Sequence, residues 1–433
     1  MSGATRSVET RTGPWRDPLA VAAGLRTLEG PLALLSDGGA LGRWSFVAAE
    51  PDRVHVGAVG SDALDALRHP DFASGVVGLL AYDAGAREAT GSRGSVWPDL
   101  MLARYPAMLA FDHHLESVRI IGHGDDPAAA RAAADRAAAW LAAAVDPPRP
   151  PAPAGDFAAE APPQAYLEAV ADVVARIAAG ELFQANIARA WSGALNAGAD
   201  PFDVMLRLAD RASAYGAFWR LGDRAIVSNS PELFLTFDPD TRRIETRPIK
   251  GTRPRHPDPV RDAALAVELA ASAKDRAENL MIVDLMRNDL SRVARPGTVV
   301  VDRLFEIESL PTMHHLVSTV SASARPDAGP ARLLEATFPP GSITGAPKHQ
   351  AMKVIAAHEP PRGAWCGSLF HIEADGRLTA SVLIRTASFQ RRGDDWSFRV
   401  LAGAGIVADS DPASELAETE VKMRALREAL TGT

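Results

Sequence analysis

Between Gln164 and Gly180, apolar residues fall at Leu167, Val170, Val173, Val174 and Ile177. That spacing of threes and fours predicts a helix with one buried face. Pro127 to Val145 is dominated by strong helix formers behind a proline start and predicts another helix. Pro257 to Asn288 reads as one long helical region. Asp411 and Pro412 read as the N-cap and first turn of a helix running to Leu430. Elsewhere the pattern turns to strands. Leu32 to Glu50 predicts short strands broken at Asp37-Gly38-Gly39, and Val76 to Tyr82 predicts one more. Ile226 to Phe237 alternates around a turn at Asn229-Ser230-Pro231. Leu378 to Phe389 and Trp396 to Leu401 predict paired strands about Gly393-Asp394-Asp395. Strands and helices mix without regular alternation and no internal repeat is visible, so the predicted class is α+β.

Consecutive prolines in Asp146-Pro147-Pro148-Arg149-Pro150-Pro151-Ala152-Pro153 forbid helix and predict a stiff linker. They divide the chain into an N-terminal region over 15–140, a linker over 141–163 and a catalytic region over 164–430. The 433 residues carry a net charge of −8, which argues against nucleic acid as the main partner yet allows a local basic pocket. The single cysteine, Cys366, permits no internal disulfide and fits a reducing cytoplasm. Met1 to Pro18 is polar and lacks the apolar core of a signal peptide, and no apolar run is long enough to span a membrane.

The segment Arg247-Pro248-Ile249-Lys250-Gly251-Thr252-Arg253-Pro254-Arg255 gathers four cations in nine residues. Its prolines and Gly251 predict a fixed loop, and arginine forks suit carboxylates. Lys250 stands between Ile249 and Gly251, where desolvation and neighbouring arginines favour a neutral, nucleophilic amine. On composition alone the segment also reads as a solvated basic turn. Asp275 and Glu278 share one helix face, as do Glu415 and Glu418. If the two faces meet, they offer a hard cation a few carboxylates; if not, they are solvated surface with ion pairs such as Glu278 with Lys274. Phe338 to Lys348 combines glycines, hydroxyls and a lysine, as an anion-cradling loop would, or an ordinary turn before a helix near Pro347. It lacks the ending of a nucleotide-phosphate loop. Gly403-Ala404-Gly405 allows close backbone approach to a ligand, or marks a bulge. His314-His315 offers an acid or base, or a structural pair. Arg385, after the apolar Val382-Leu383-Ile384, needs an anionic partner if it points inward.

These segments come in a recognisable order: Ser230-Pro231-Glu232, Pro248 to Thr252, Ala277 to Asp289, His315-Leu316-Val317-Ser318, Gly341 to Lys348, Ile384-Arg385-Thr386 and Gly403-Ala404-Gly405. The series resembles the chorismate-utilising family, which includes anthranilate synthase component I, aminodeoxychorismate synthase component I, and the isochorismate and salicylate synthases. The resemblance is strong from Gln164 to Leu430 and weaker over Leu32 to Pro51. It implies large antiparallel sheets in a sandwich with helices outside. Lys250 resembles the aminodeoxychorismate synthase type, since anthranilate synthases usually carry Ala there. Ser272 to Asp289 and Ala364-Trp365-Cys366-Gly367-Ser368 point the same way. Gln184 stands where isochorismate-forming members carry a water-activating lysine, which disfavours water as nucleophile.

The resemblance implies roles. Lys250 would add to the chorismate ring and displace a hydroxyl, Glu232 would be the general acid, and His315 would assist proton transfer or orient the substrate. Ammonia would then replace the lysine. Glu278 and Glu418 would hold Mg2+ against a substrate carboxylate, supported by Asp275 and Glu415. Gly251, Thr252, Thr344, Gly345, Arg385, Gly403, Ala404 and Gly405 would bind substrate. His371 stands in Phe370-His371, where the family commonly has Gly-Tyr with a substrate-contacting Tyr. Ser36, Arg43, Trp44, Ser45, Phe46, Ala214, Tyr215 and Gly216 occupy the places of the family's tryptophan pocket, which the bulk of Trp44 could itself fill. The ammonia would come from a separate glutamine amidotransferase subunit, giving a heterodimer, because no cysteine-bearing amidotransferase segment is visible. The expected product feeds 4-aminobenzoate and folate synthesis. The competing readings are anthranilate synthase component I, which would release pyruvate, and a non-catalytic sensor of chorismate or tryptophan. Intact Lys250, Glu232, Glu278 and Glu418 argue against the sensor.

Overall fold

The computed structural model describes residues 7–39, 41–57, 64–72, 75–95, 97–310 and 313–433. The first six residues of the polar N-terminal stretch lie outside that description; Ser7–Gly13 form an edge strand. Among the described residues two antiparallel sheets, of twelve and ten strands, stack face to face. Leu32, Ala217, Trp219 and Ile226 of the first meet Val77, Leu79, Met101 and Leu369 of the second in one buried cluster. Helices cover the outer faces. Pro127–Ala142, Pro201–Leu208 and Pro412–Thr431 pack on the first sheet, and Ala273–Ser291 and Pro330–Thr337 on the second. The expected α+β sandwich with external helices is the observed architecture.

The sheets interleave the chain. In the first, Leu32–Leu35 pairs with Tyr215–Leu221. In the second, Val76–Leu80 pairs with Ser368–Ile372. The proline-rich segment therefore separates stretches of sequence that share both sheets.

Three expected elements are divided. The helix read over Pro257 to Asn288 is two helices, Pro259–Ala271 and Ala273–Ser291. Ser272 ends one and caps the next, its hydroxyl accepting from Asp275 N at 3.2 Å. The strand read over Ile226 to Phe237 is Arg224–Ser230 in the first sheet and Leu233–Phe237 in the second. Leu378 to Phe389 likewise splits into Leu378–Val382 and Thr386–Arg392, in different sheets. The loop expected around Lys250 is instead a strand, Ile249–Pro254, because it finds a partner in Met313–Ser323.

Candidate functional site

The two strands that change sheets do so side by side. Glu232 lies in the first crossing and Arg385 in the second, where its φ of 50° bends the backbone between sheets. The crossings are tied together: Ser230 Oγ donates to Val382 O at 2.6 Å, Val382 N to Glu232 O at 3.1 Å, and Asn229 N to Arg385 O at 3.0 Å. Burial pushes the Glu232 carboxyl up to about 7, against the downward pull of the Ser342 side chain, Lys250 and the Ile249 N–H. Burial lowers the Arg385 pKa, and Glu232 opposes that.

Lys250 reaches this corner from the strand Ile249–Pro254. Pairing with Met313–Ser323 shifts register between Ile249 and Thr252, a bulge with Gly251 at φ 86°. A side chain at Gly251 would come within 2.9 Å of Asp275 and Leu269, so glycine lets both flanking helices pack on the bulge. The Lys250 amine donates to Ser342 O at 3.3 Å. Beyond the bulge, Thr252 Oγ1 and His315 Nδ1 are 2.9 Å apart. Burial, then Arg385 and His314, lower His315 to about 3, so its imidazole is neutral at ordinary pH.

The strand Asp395–Ile406 forms the opposite wall. A Cβ on Gly405 would lie 2.5 Å from Gln184 Nε2 and 3.2 Å from Lys250 Nζ, so both nitrogens line the space over that glycine. Gln184 is fully buried with neither amide atom hydrogen-bonded. A Cβ on Gly403 would meet Asn186 Oδ1 at 2.7 Å, and that buried oxygen also lacks a partner. Unsatisfied buried amides beside a lysine and an arginine suit a polar ligand that completes their hydrogen bonds.

Next to Lys250 the helices Ala273–Ser291 and Pro412–Thr431 bring their carboxylates together. Lys274 Nζ lies 4.0 Å from Glu278 and 3.5 Å from Glu415. Glu418 pairs with Lys422 at 2.6 Å, Asp275 with Arg253 at 3.3 Å, and Glu415 accepts from Ser410 Oγ at 2.7 Å. Burial raises Glu278 against the pull of Lys250 and Lys274. Burial also works to raise Glu418, but Lys422, Lys250 and Lys274 outweigh it and hold the group low. Partial burial disfavours the Lys274 ammonium, and Glu415, Glu278 and Glu418 more than offset that. Among the described residues no group of three or more His, Cys, Asp or Glu side chains is arranged to hold a metal ion by itself. Carboxylates on two facing helices are the hard oxygen donors that magnesium takes together with substrate oxygens and water.

Several expected site residues stand otherwise. The Thr344 hydroxyl donates to Pro340 O at 3.0 Å within its own loop. Gly345, at φ 150°, passes so close to Gln184 O that a Cβ would lie 2.1 Å away. Ala404 points into the cluster of Tyr166, Val170 and Ala185, away from the face of Gly403 and Gly405. His371 is not brought to the site: its ring packs on Phe46 at 4.7 Å, and its charged neighbours are His123 and Asp375. Lys348 is no anion cradle, since its amine bonds Asp289 and Thr337 O. His314 pairs with Asp262 at 3.0 Å. Of the expected tryptophan-pocket residues, Trp44, Ser45 and Phe46 alternate faces along the strand Trp44–Ala48, and the others lie on neighbouring segments. Trp44 stacks on Phe46 beneath Arg119, while Ser45 Oγ bonds His113 and accepts from Ser36 N. Arg43 is held by Asp112, Gly216 pairs with Leu35, and Ala214 and Tyr215 precede that pairing.

Two residues escaped the sequence reading. Ser342 touches Lys250 through its carbonyl and Glu232 through its side chain. It lay within the Gly341 to Lys348 motif, which was the signal. Arg362, fully buried, pairs with Glu359 at 2.8 Å and donates to Ile343 O at 2.9 Å and Asn186 O at 2.6 Å. It clamps the Ser342 loop to the Gln184 strand. An arginine three residues after a glutamate in an apolar stretch was its trace in the sequence.

The chorismate binding enzyme family matches residues 47–428. Aminodeoxychorismate synthase component 1 of Escherichia coli (strain K12) is 39% identical over 367 residues, 83% of this chain and 77% of that one. Anthranilate synthase component 1 of Streptomyces coelicolor is 37% identical over 428 residues, 90% of this chain and 81% of that one. Anthranilate synthase component I from Streptococcus pneumoniae superposes with a TM-score of 0.77 at 26% identity, over 89% of this chain and 92% of that one. The menaquinone-specific isochorismate synthase from Escherichia coli shares the fold, with a TM-score of 0.76 at 20% identity, over 99% and 95% of the two chains. With the family matching most of the chain and the site gathered at one corner of its sandwich, this protein belongs to the chorismate binding enzymes.

Proposed function

We propose that the chain is the ammonia-using component of an aminodeoxychorismate synthase, converting chorismate and ammonia to 4-amino-4-deoxychorismate through a covalent bond to Lys250. The observation that carries the reading is the meeting of Lys250, through Ser342, with a buried carboxylic acid, Glu232, whose proton is retained to about pH 7. The Lys250 nitrogen bonds to the ring, a double bond shifts, and the C–O bond to the ring hydroxyl breaks. Glu232 supplies the proton that lets the hydroxyl leave as water. Ammonia then bonds to the carbon that lost the hydroxyl, the double bond shifts back, and the Lys250 amine departs. The proton released by the incoming nitrogen returns to Glu232. Two displacements replace one difficult one. Magnesium held by Glu278 and Glu418, with Asp275 and Glu415 in support, would supply positive charge to a substrate carboxylate. Arg385, near Glu232 and His315, would bind a carboxylate, and Gln184 and Asn186 Oδ1 would gain the partners they lack. The neutral His315, braced by Thr252, would act by hydrogen bonding. A separate glutamine amidotransferase subunit would deliver the ammonia, and the product would enter 4-aminobenzoate and folate synthesis.

Anthranilate synthase component 1 is the second reading, favoured by the likeness to the Streptomyces coelicolor protein across 90% of this chain. Chorismate, magnesium and ammonium salt separate the two. Under the first reading, 4-aminobenzoate forms only when an aminodeoxychorismate lyase is added. Fluorescent anthranilate formed without the lyase would establish the second. Intact-mass measurement on protein incubated with chorismate should reveal an adduct that Lys250→Ala abolishes; full activity in that variant would remove Lys250 as nucleophile.

A further inference from the structure

We propose that Lys274 sets the affinity of the Glu278, Glu415 and Glu418 cluster for its divalent ion, by standing in the ion's place until the ion displaces it. The inference rests on the magnesium reading above. Lys274 lies one turn before Glu278 on the helix Ala273–Ser291, and its amine also reaches Glu415 on the helix Pro412–Thr431. It therefore bridges the two helices that would share the metal. Of the other cations, Lys422 pairs with Glu418 on its own helix and Arg253 holds Asp275 from the Lys250 strand, while Lys250 pulls on both Glu278 and Glu418 but gives its hydrogen bond to Ser342 O.

The chemistry of the side chain suits a removable counter-ion. An ammonium is a compact single charge on a flexible stem, with none of the fixed fork that would lock an arginine to a carboxylate. The Lys274 side chain is 53% exposed, so it has solvent to swing into, whereas Glu415 is 5% exposed and stays where it is. A divalent ion seated between the helices would lie within a few ångströms of the amine, and two cations at that separation repel strongly. Ion binding is then an exchange. Lys274 screens the carboxylates from each other in the metal-free protein and leaves for solvent when the stronger charge arrives. Magnesium would bind more weakly than the carboxylates alone would allow, and the empty cluster would keep its shape. The competing account is a permanent pin between two helices, indifferent to metal.

The test uses Mn2+ alone as probe, since it accepts the same oxygen donors, with the full chain and no chorismate. Free Mn2+ is followed by its electron paramagnetic resonance signal during titration of the wild type, Lys274→Met, Lys274→Arg and Glu278→Gln. Lys274→Met should bind Mn2+ about two- to fivefold more tightly than the wild type, the scale of a half-exposed ion pair. Lys274→Arg should bind no more tightly than the wild type, and Glu278→Gln should lose binding. Lys274→Gln replaces the Met variant if that one lacks a cooperative melt. Equal or weaker binding by the uncharged variants, with Glu278→Gln still defective, overturns the exchange and leaves the magnesium reading standing. No binding by wild type or uncharged variants overturns both.

Discussion

At Glu232, acidity and stability are set by the same burial. The carboxyl is held at about 7, against an ordinary value near 4.5. Between those pH values the unfolded chain gives up this proton and the folded chain keeps it. The group's stabilising effect is therefore complete below about pH 4.5 and is lost as pH rises through 7. Glu232→Gln removes the penalty, so above pH 8 the variant should be the more stable protein by about 3 kcal/mol. Urea denaturation at pH 4 and pH 8 checks this, with the gain present only at the higher pH. The wild-type rate should fall as pH rises through about 7, and the Gln variant should lack both the rate and that limb. His315, lowered to about 3, should add no limb in the neutral range. Glu232 was singled out only by the ordered motifs of the family resemblance, because one glutamate after Ser230-Pro231 carries no local mark of burial. Ser342 was harder to see, since it meets Lys250 through a carbonyl that every residue carries. His371 was misplaced, although strand alternation held the answer: it shares a face with Leu369, which lies in the core between the sheets.

At the scale of elements, local pattern gave most helices and strands but not their breaks. The turn read at Asn229-Ser230-Pro231 falls at the break, but a turn does not say that the strands on its two sides join different sheets. The break comes from which partner strand lies alongside. The same holds at Arg385, whose positive φ reflects its position between sheets. Ser272 was legible in principle, being a good cap in the middle of a long helical pattern. Two glycines separate the structural from the chemical use of such elements. At Gly345 a methyl group would strike a backbone carbonyl in a conformation that side chains avoid. Gly345→Ala should destabilise by about 2–4 kcal/mol. At Gly405 the methyl would meet the end of the Gln184 side chain, which can move. Gly405→Ala should keep its melting temperature within a few degrees and lose turnover, because the displaced amide and Lys250 share that space. Thermal melts beside steady-state rates on both variants distinguish the two cases.

For the whole molecule, the sandwich followed from family resemblance, while its interleaving was invisible to local pattern. The proline run reads as a boundary between folding units because it is one in conformation. Pairing across it, such as Leu32–Leu35 with Tyr215–Leu221, depends on contacts between residues about 180 positions apart. A chain starting at Gln164 would leave both sheets with open inner edges. Expressed alone, that fragment should lack a cooperative thermal transition and near-ultraviolet circular dichroism, and a sharp transition would show that the two regions fold independently after all.

The strand Asp395–Ile406 lies between Thr386–Arg392 and Gln184–Ala194, inside the first sheet, yet it is the last strand in the chain. During synthesis Gln184–Ala194 emerges long before this neighbour exists. The nascent protein must carry that bare edge on the ribosome for about two hundred residues of synthesis, in the state most prone to pairing with other chains. The same strand carries Gly403 and Gly405, and Glu418 follows it. No nascent chain that stops short of this strand can complete the first sheet or assemble the site. Factors that shield exposed strands should govern how much of the protein a cell obtains.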